Sequence, residues 1–258
     1  MPESRAAASS QERPIARLNV RSAGGSPGVL TFIVAGCTLS PQPCGALWWS
    51  DERLLVVSDL HLEKGSSFAS RGQMLPPYDT RATLGRIARL MDRLKPRTVV
   101  SLGDSFHDRR ARVRMAEDDV ALVRRLTGQC DWIWIEGNHD PAPPDDLGGR
   151  MADKLVFGPL TFRHEPTPGP VSGEVAGHLH PCARVVGRTG TVRARCFAMD
   201  ETRIVMPAYG ALTGGLNVLD AAFGSLFPDG LLVGALGRDD VYAAAMQQLA
   251  PDAVSAAG

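Results

Sequence analysis

The stretch Leu54-Leu55-Val56-Val57-Ser58-Asp59-Leu60-His61 joins a short apolar run to a polar loop. A run in which every position is apolar indicates a strand that is buried on both faces. The loop that follows carries a carboxylate and an imidazole two positions apart. The same order, an apolar run and then a polar loop, occurs twice more along the chain.

The second occurrence is Thr98-Val99-Val100-Ser101-Leu102, which leads into Gly103-Asp104. The third is Trp132-Ile133-Trp134-Ile135-Glu136, which leads into Gly137-Asn138-His139-Asp140. Both runs are rich in β-branched or aromatic residues, which favours buried central strands. The polar loops therefore follow the carboxyl ends of three predicted strands.

An amphipathic helix is predicted between the first two strands, with Asp79 or Thr80 as its cap and Pro96 just beyond its end. Its apolar face contains Leu84, Ile87, Ala88, Leu90, Met91 and Leu94. A second helix, from about Met115 to Thr127, precedes the third strand. This alternation predicts parallel strands with crossover helices, and sites in such sheets lie at the carboxyl ends of the strands.

The pattern changes from Leu155 onward, where short apolar runs are separated by glycine and proline. Strands are predicted at Leu160 to Arg163, Glu174 to Ala176, Val192 to Phe197 and Arg203 to Met206. A helix is predicted only near the end, from Asp239 to Leu249. We expect these strands to form a second, mostly antiparallel sheet packed on the first.

The chain has 258 residues, of which 44% are hydrophobic, enough for one sizeable core. One domain is expected over residues 29–250. Residues 1–28 lack apolar periodicity and are predicted to be a disordered tail, and residues 251–258 a C-terminal tail. Lys and Arg total 28, as do Asp and Glu, so the molecule as a whole has no bias toward nucleic acid or membrane. Any polyanion must be bound by a local patch.

Five cysteines without C-x-x-C spacing fit reduced thiols in a cytoplasm better than a disulfide framework. The chain has no apolar run of the ~18 residues that a membrane span needs. Val34-Ala35-Gly36-Cys37 resembles a bacterial lipoprotein cleavage box, and it follows the apolar run Val29 to Ala35. The run is short and interrupted by Thr31, which favours the alternative, a first β-strand.

Five short motifs carry metal-ligating side chains: Asp59-x-His61, Gly103-Asp104-x-x-His107-Asp108, Gly137-Asn138-His139-Asp140, His164 and Gly177-His178-x-His180. Carboxylate, imidazole and amide groups suit Mn, Fe or Zn rather than a thiolate zinc site. In an extended segment, residues two apart point to one side, so Asp59 with His61, and His178 with His180, can converge. Asp104 is the candidate bridge between two cations. All six histidines of the chain lie within these motifs.

In this order the motifs resemble those of the calcineurin-like metallophosphoesterases. The resemblance implies an α/β fold, a four-layer α/β/β/α sandwich of two mixed β-sheets. It implies that one metal ion is bound by Asp59, His61, Asp104 and His180. It implies that a second ion is bound by Asp104, Asn138, His164 and His178. His139 is not a ligand in this scheme.

A narrower resemblance is to the ligase-associated DNA-damage-response endonucleases (PdeM-type), from about Thr31 to Ala244. The phrases that carry it are Ser58 to Gly65, Leu75 to Thr80, Leu102 to Asp108 and Pro207 to Asn217. It implies two divalent metal ions, first of all Mn²⁺, with Fe or Zn as alternatives. It also implies DNA, single-stranded, as the substrate. The implied partners are an ATP-dependent DNA ligase, a helicase and a second nuclease.

Two cations in such a site can polarise phosphoryl oxygens and lower the pKa of a shared water. His139 is the candidate general acid, and Asp140 beside it is expected to orient the ring or sustain its charge. His107, Arg109 and Arg110 are candidate substrate contacts. For His107 the alternative is a hydrogen bond to Asp108 or a solvent-facing ring. For the arginine run from Arg109 to Arg114 it is a solvated loop offset by Glu117, Asp118 and Asp119.

Three functions compete. The first is a phosphodiesterase or endonuclease in ligase-associated DNA repair. The second is a small-molecule phosphatase or nucleotide phosphodiesterase, which the same metal site could serve, so substrate length and charge discriminate the two. The third is a non-catalytic scaffold, which predicts eroded ligands, whereas every ligand type is present here.

Overall fold

The computed structural model of the chain describes residues 19–21, 29–73, 75, 78–140, 144–188 and 190–252. The predicted tail over residues 1–28 lies outside these ranges apart from Asn19–Arg21, which form a strand that the sequence did not predict. Residues 253–258 of the predicted C-terminal tail also lie outside them.

Within the described residues, the first sheet has eight strands that neighbour each other in chain order. They are β1 (Asn19–Arg21), β2 (Val29–Val34), β3 (Cys37–Pro41), β4 (Leu47–Trp49), β5 (Leu54–Val57), β6 (Thr98–Leu102), β7 (Asp131–Ile135) and β8 (Arg150–Ala152). Strands β1 to β5 are antiparallel, and β5 to β8 are parallel. The three apolar runs of the sequence are the central parallel strands, as predicted.

Helices connect the parallel strands on one face of this sheet. They are α1 (Lys64–Ala69), α2 (Asp79–Leu94), α3 (Ala111–Arg114) and α4 (Glu117–Thr127), followed after β7 by a 3₁₀ turn (Asp145–Leu147). Helix α2 buries Leu84, Ile87 and Leu90, and α4 buries Val120 and Val123, as their helical spacing requires. The two predicted helices are thus present, with α4 starting two residues later than expected.

The second sheet begins with β9 (Lys154–Phe157), β10 (Leu160–Arg163), β11 (Glu174–Ala176), β12 (Pro181–Gly187) and β13 (Gly190–Met199). It continues with β14 (Arg203–Val205), β15 (Leu216–Asn217), β16 (Leu232–Leu236), β17 (Val241–Ala245) and β18 (Leu249–Ala250). Strands β10, β11 and β14 are parallel, as are β12 and β15, and the remaining pairs are antiparallel. The sheet is therefore mixed.

The helix predicted from Asp239 to Leu249 is wrong. A turn in which the Gly237 N–H donates to Asp240 O, at 2.9 Å, brings Val241–Ala245 beside β16 as a strand. A 3₁₀ turn, Met246–Gln248, and β18 follow. The alanines and glutamines of this segment favour helix, but propensity is weak compared with the hydrogen bonds that a neighbouring strand supplies.

The side chains of the first sheet alternate between two cores. Leu54 and Val56 point toward the second sheet, where Phe162 and Phe197 pack, whereas Leu55 and Val57 point toward the helices. The outer face of the second sheet packs against Phe223 of the short helix α5 (Ala221–Gly224) and the residues that follow it. The layers are helix, sheet, sheet and helix, which confirms the predicted sandwich.

The lipoprotein-like segment forms the tight hairpin between β2 and β3. Val34 pairs with Cys37, and Ala35 and Gly36 make the turn at φ values of 48° and 80°. Cys37 is buried in the core between the sheets. The structure thus contains the strand that the sequence offered as the alternative to a cleavage box. Among the helices formed by the described residues, none combines the length and apolar character of a membrane span.

Candidate metal centre

The polar motifs meet at one edge of the molecule. Asp59, Asp104 and Asn138 follow β5, β6 and β7, which are parallel in the first sheet. His164 and His178 follow β10 and β11, which are parallel in the second sheet. The carboxyl ends of both sets of strands point to the same edge, so motifs far apart in the chain lie together.

The first group of side chains is Asp59, His61 and His180, with one potential ligand atom from each within 4.8 Å of the others. Asp59 Oδ1 lies 3.1 Å from His180 Nε2, and the Nε2 atoms of His61 and His180 are 3.4 Å apart. Asp59 is fully buried. Its carboxylate also accepts hydrogen bonds from the Ser58 hydroxyl and the backbone N–H of His178.

The second group is Asp104, His164 and His178, again with ligand atoms within 4.8 Å of one another. The amide oxygen of Asn138 joins them, since Oδ1 is 2.9 Å from His164 Nε2 and 3.0 Å from His178 Nδ1. His164 Nδ1 is 2.9 Å from the carbonyl oxygen of Leu102. That backbone contact orients the ring so that Nε2 faces the group.

Asp104, a member of the second group, also faces the first. Its Oδ1 is 3.5 Å from His164 Nε2, and its Oδ2 is 3.8 Å from His61 Nε2. Oδ1 also accepts a hydrogen bond of 2.9 Å from the backbone N–H of His139. Each oxygen of one carboxylate therefore faces a different group, which is the arrangement that a bridging carboxylate requires.

The ligand-bearing loops are not extended. The prediction that an extended backbone turns residues two apart to one side is therefore wrong for these motifs. Asp59, His61, Asp104, His178 and His180 all have positive φ, between 44° and 71°. Such a conformation typically costs about 1–3 kcal/mol for a residue other than glycine and persists only where surrounding contacts enforce it. His178 and His180 consequently enter different groups instead of pointing to one side together.

Glycines of the motifs, among them Gly103 and Gly177, are required by close packing. A Cβ at Gly103, where φ is 69°, would overlap the ring of His164. A Cβ at Gly177 would overlap the Ser58 hydroxyl and lie 2.7 Å from Asp59 Oδ2. Since these neighbours are themselves part of the centre, any larger residue would displace a candidate ligand.

Burial and charge set the protonation of the first group. Burial lowers the pKa of His61 to about 3, so its ring is neutral at physiological pH. Burial alone would raise the pKa of Asp59, but hydrogen bonds from His180 and Ser58 and electrostatic interactions with His180 and His164 outweigh it and lower the pKa below its ordinary value. A neutral imidazole and an ionised carboxylate are the forms that bind a metal ion.

The donor set fits divalent cations. Lone-pair-bearing nitrogens and oxygens from seven side chains face one another with two carboxylates among them, and thiols are absent from both groups. Imidazole, carboxylate and amide oxygen suit Mn, Fe or Zn. His61 Nδ1 is buried and has no hydrogen-bond partner among the described residues. The residues present therefore can hold two metal ions.

His139 lies beside these groups at the surface. Its side chain is 45% exposed, and Nε2 is 3.9 Å from Asp104 Oδ2. The ring of His107 stacks on it with centroids 5.8 Å apart. The backbone N–H of His107 donates to Leu62 O, and burial lowers the pKa of its ring. The His107 ring makes no hydrogen bond to Asp108, both residues lying within the described part of the chain.

Asp140, which was predicted to orient the His139 ring or sustain its charge, forms its hydrogen bond elsewhere. Its buried carboxylate accepts a 2.9 Å hydrogen bond from the backbone N–H of Phe106, and burial raises its pKa to about 8. No hydrogen bond joins it to His139, both residues being within the described part of the chain. Asp140 thus holds the loop that carries Asp104.

Two arginines of the run form ion pairs and two are exposed. Arg112 forms an ion pair with Asp146, and Arg114 with Asp108, at 2.8 Å and 2.9 Å. These partners differ from the Glu117, Asp118 and Asp119 that the sequence suggested, although Arg112 also lies 3.9 Å from Glu117. Arg109 and Arg110 are exposed.

Sequence reasoning missed the residues that support the ligand loops. Asp79 and Thr80 do not cap α2. The Thr80 hydroxyl accepts from the Glu63 N–H, and the Asp79 carboxylate accepts from the Gly65 N–H, at 2.8 Å and 3.1 Å. Both therefore fix the loop after His61. Their partners lie 17 and 14 residues away along the chain. The local sequence therefore indicated only a helix start at Asp79 and Thr80, not these contacts.

A second support is the loop from Pro207 to Thr213. Its Tyr209 and Gly210 N–H groups donate to the carbonyl oxygens of Ser58 and Asp59, at 2.8 Å and 3.1 Å. The guanidinium of Arg195 donates to carbonyl oxygens of the same loop, including Ala208 O. The loop backs the first motif, and no sequence pattern marks Arg195 for this role.

The profile of the calcineurin-like phosphoesterases matches residues 52–203. The nuclease MPE of Pseudomonas putida is 30% identical, with a TM-score of 0.64 over 82% of this chain and 98% of that protein. Yfce, a phosphoesterase from E. coli, is 16% identical, with a TM-score of 0.38 over 75% of this chain and 98% of that protein. No curated protein sequence matches.

The profile spans more than half of the chain and includes all five motifs in full. The chain therefore belongs to the calcineurin-like phosphoesterase family. Two groups of candidate ligands that share one carboxylate agree with that membership. The protein is a metal-dependent hydrolase of phosphoesters.

Proposed function

We propose that the protein is a dinuclear-metal phosphodiesterase that cleaves DNA, acting as an endonuclease on single strands. The observation that carries the proposal is the pair of ligand groups joined through Asp104. It occurs in a chain that is 30% identical to a nuclease over 82% of its length. A phosphodiester is an anion, which a site with two dications and two carboxylates accommodates.

The proposed ligands follow the two groups. Asp59, His61, Asp104 and His180 hold one ion. Asp104, Asn138, His164 and His178 hold the other. The contact of Asn138 Oδ1 with both His164 and His178 supports its inclusion, and the 2.9 Å contact of His164 with Leu102 O supports that of His164. Mn²⁺ is the proposed native metal, with Fe or Zn as alternatives.

Bound divalent cations supply Lewis acidity and a water-derived nucleophile at neutral pH. The chain itself supplies proton transfer. His139 is proposed to protonate the leaving oxygen, because its ring is exposed at the edge of the centre and its Nε2 lies 3.9 Å from Asp104. General acid help of this kind is typically worth about 10²–10⁴-fold in rate. Asp140 acts as a positioning residue through the Phe106 N–H.

Substrate contacts are proposed for His107, Arg109 and Arg110. The His107 ring stacks on His139, which brings a second imidazole to the open side of the centre. Arg109 and Arg110 are exposed, whereas Arg112 and Arg114 are held by carboxylates. The first two arginines can therefore meet a phosphate without breaking an ion pair.

The proposed setting is cytoplasmic, in DNA repair, beside an ATP-dependent DNA ligase, a helicase and a second nuclease. The five cysteines are all free, which supports a reducing compartment. Recovery of the chain on affinity-tagged ligase from a cell extract tests the partnership. Failure to recover it, with the helicase recovered as a positive control, would count against this setting.

The activity is tested with wild type and Asp104→Ala in added Mn²⁺, on bis-p-nitrophenyl phosphate, p-nitrophenyl phosphate and a single-stranded oligonucleotide. Asp146→Ala is the matched control, because Asp146 is a carboxylate held by Arg112 and Arg124 outside the centre. Asp104-dependent cleavage of the diester and the DNA is the expected result. Cleavage of the monoester alone would replace the proposal with a small-molecule phosphatase.

A further inference from the structure

A groove beside α2 carries an excess of positive charge. It encloses about 500 Å³, and its charged lining consists of Arg86, Arg89, Arg93, Arg238 and Asp239. Four guanidinium groups therefore face one carboxylate. The whole chain has equal numbers of positive and negative residues, so this is a local concentration that the overall charge does not reveal.

The arginines form a row. Arg86, Arg89 and Arg93 lie three and four residues apart on α2, which places them along one face of the helix. With a rise of 1.5 Å per residue, the row extends about 10 Å. A stacked nucleic acid strand carries one phosphate per about 3.4 Å, so the row matches about three phosphates. Arg238, in the turn between β16 and β17, forms the facing wall.

Most of this charge is not neutralised. Arg89 and Arg238 make no ion pair or hydrogen bond with the described residues, and Arg93 donates to the neutral oxygen of Gln42. By contrast, Arg112 and Arg124 are both paired with Asp146. Free guanidinium groups in a row are suited to phosphate oxygens, which accept their paired N–H donors.

The fourth arginine ties the groove to the metal centre. Arg86 donates to the carbonyl oxygen of Tyr209, and its guanidinium lies 4.7 Å from the centre of that ring. The Tyr209 N–H in turn donates to Ser58 O, next to Asp59. Arg86, which lines the groove, is thus hydrogen-bonded to the loop that backs a candidate ligand.

We propose that this arginine groove binds the phosphate backbone of the single-stranded DNA substrate outside the metal centre. The inference rests on the proposed function and names a second contact region for the same substrate. Because guanidinium groups contact phosphates and not base edges, the groove adds affinity for long strands without base preference. It contributes nothing to the hydrolysis of small diesters.

The test compares wild type with the triple variant Arg89→Ser, Arg93→Ser, Arg238→Ser. Arg86 is kept, because it holds Tyr209. The control is Arg97→Ser, Arg125→Ser, Arg188→Ser, which removes the same charge from exposed arginines whose side chains have no ion pair or hydrogen bond within the described residues. Circular dichroism melting verifies that all three proteins fold.

Binding of a fluorescent single-stranded oligonucleotide is followed by anisotropy over a salt series in EDTA, which prevents cleavage. The triple variant is expected to bind about tenfold more weakly at low salt, and its slope of log Kd against log salt is expected to fall by about two. The control keeps wild-type values. Equal binding by wild type and the triple variant, or an equal loss in the control, overturns the proposal.

Hydrolysis of bis-p-nitrophenyl phosphate in Mn²⁺ separates this inference from the proposed function. The triple variant is expected to hydrolyse the small diester at the wild-type rate, and a lower rate in this variant overturns the division between groove and centre. If wild type binds DNA through the groove but cleaves neither substrate, the proposed function fails while the groove remains a nucleic-acid site.

Discussion

Replacing Asp104 by Asn tests the centre without depending on an assumed substrate. The amide keeps Oδ1, which accepts the 2.9 Å hydrogen bond from the His139 N–H. The substitution removes the negative charge of the Asp104 carboxylate, whose two oxygens lie 3.5 Å from His164 and 3.8 Å from His61. The metal-free variant is expected to be at least as stable as wild type, since one of the two candidate ligand carboxylates, both buried, is neutralised.

The effect of metal on stability follows from linkage. Counting one site, metal at 100 times its Kd stabilises the folded protein by about 2.7 kcal/mol. Mutation of a residue that hydrogen-bonds to a metal ligand typically weakens metal affinity about 10- to 100-fold. For a ligand that bridges two ions we take the upper end of that range, about 100-fold. The same metal concentration then equals the Kd of the variant and stabilises it by about 0.4 kcal/mol.

At about 2–4 °C per kcal/mol for a chain of this size, Mn²⁺ should raise the Tm of wild type by about 5–11 °C and that of Asp104→Asn by about 1–2 °C. Thermal unfolding with and without Mn²⁺ measures both shifts. His139→Ala is the control, because His139 is proposed not to bind metal. An undiminished metal-induced shift in Asp104→Asn would refute the bridging role of this carboxylate.

Three further outcomes are expected. His139→Ala should lose about 10²–10⁴-fold in kcat on a diester with a poor leaving group, measured by steady-state kinetics, and normal turnover removes the general acid. Gly177→Ala should abolish activity, because its Cβ would overlap the Ser58 hydroxyl; full activity in the diester assay contradicts the packing argument. Burial raises the pKa of Cys130 to about 11, so about 1% of this thiol is thiolate at pH 9. Its alkylation, followed by mass spectrometry, should therefore be slow. Alkylation as fast as that of glutathione would refute the raised pKa.

The central strands were predictable because their signal is local. Leu54–Val57 and Thr98–Leu102 are apolar at nearly every position, as strands covered on both faces must be, and the observed bounds agree with the predicted runs. The helix predicted from Asp239 to Leu249 failed for the opposite reason. Its state depends on hydrogen bonds to β16, and nothing within the segment announces that neighbour.

The metal centre divides in the same way. The types of its side chains and their order along the chain follow from the motifs, because carboxylates and imidazoles are the side chains that suit divalent ions. The motifs also predict that these side chains meet, since they follow strands whose carboxyl ends share an edge. This much depends only on short-range patterns.

Which side chains lie together is a property of the folded molecule. His180 meets His61 across 119 residues of chain, and His164 meets Leu102 across 62. The left-handed backbone at His178 and His180 turns the two rings into different groups, although both belong to one short motif. These contacts exist only after two sheets have packed, because non-local partners hold each loop in a conformation that its own residues do not favour.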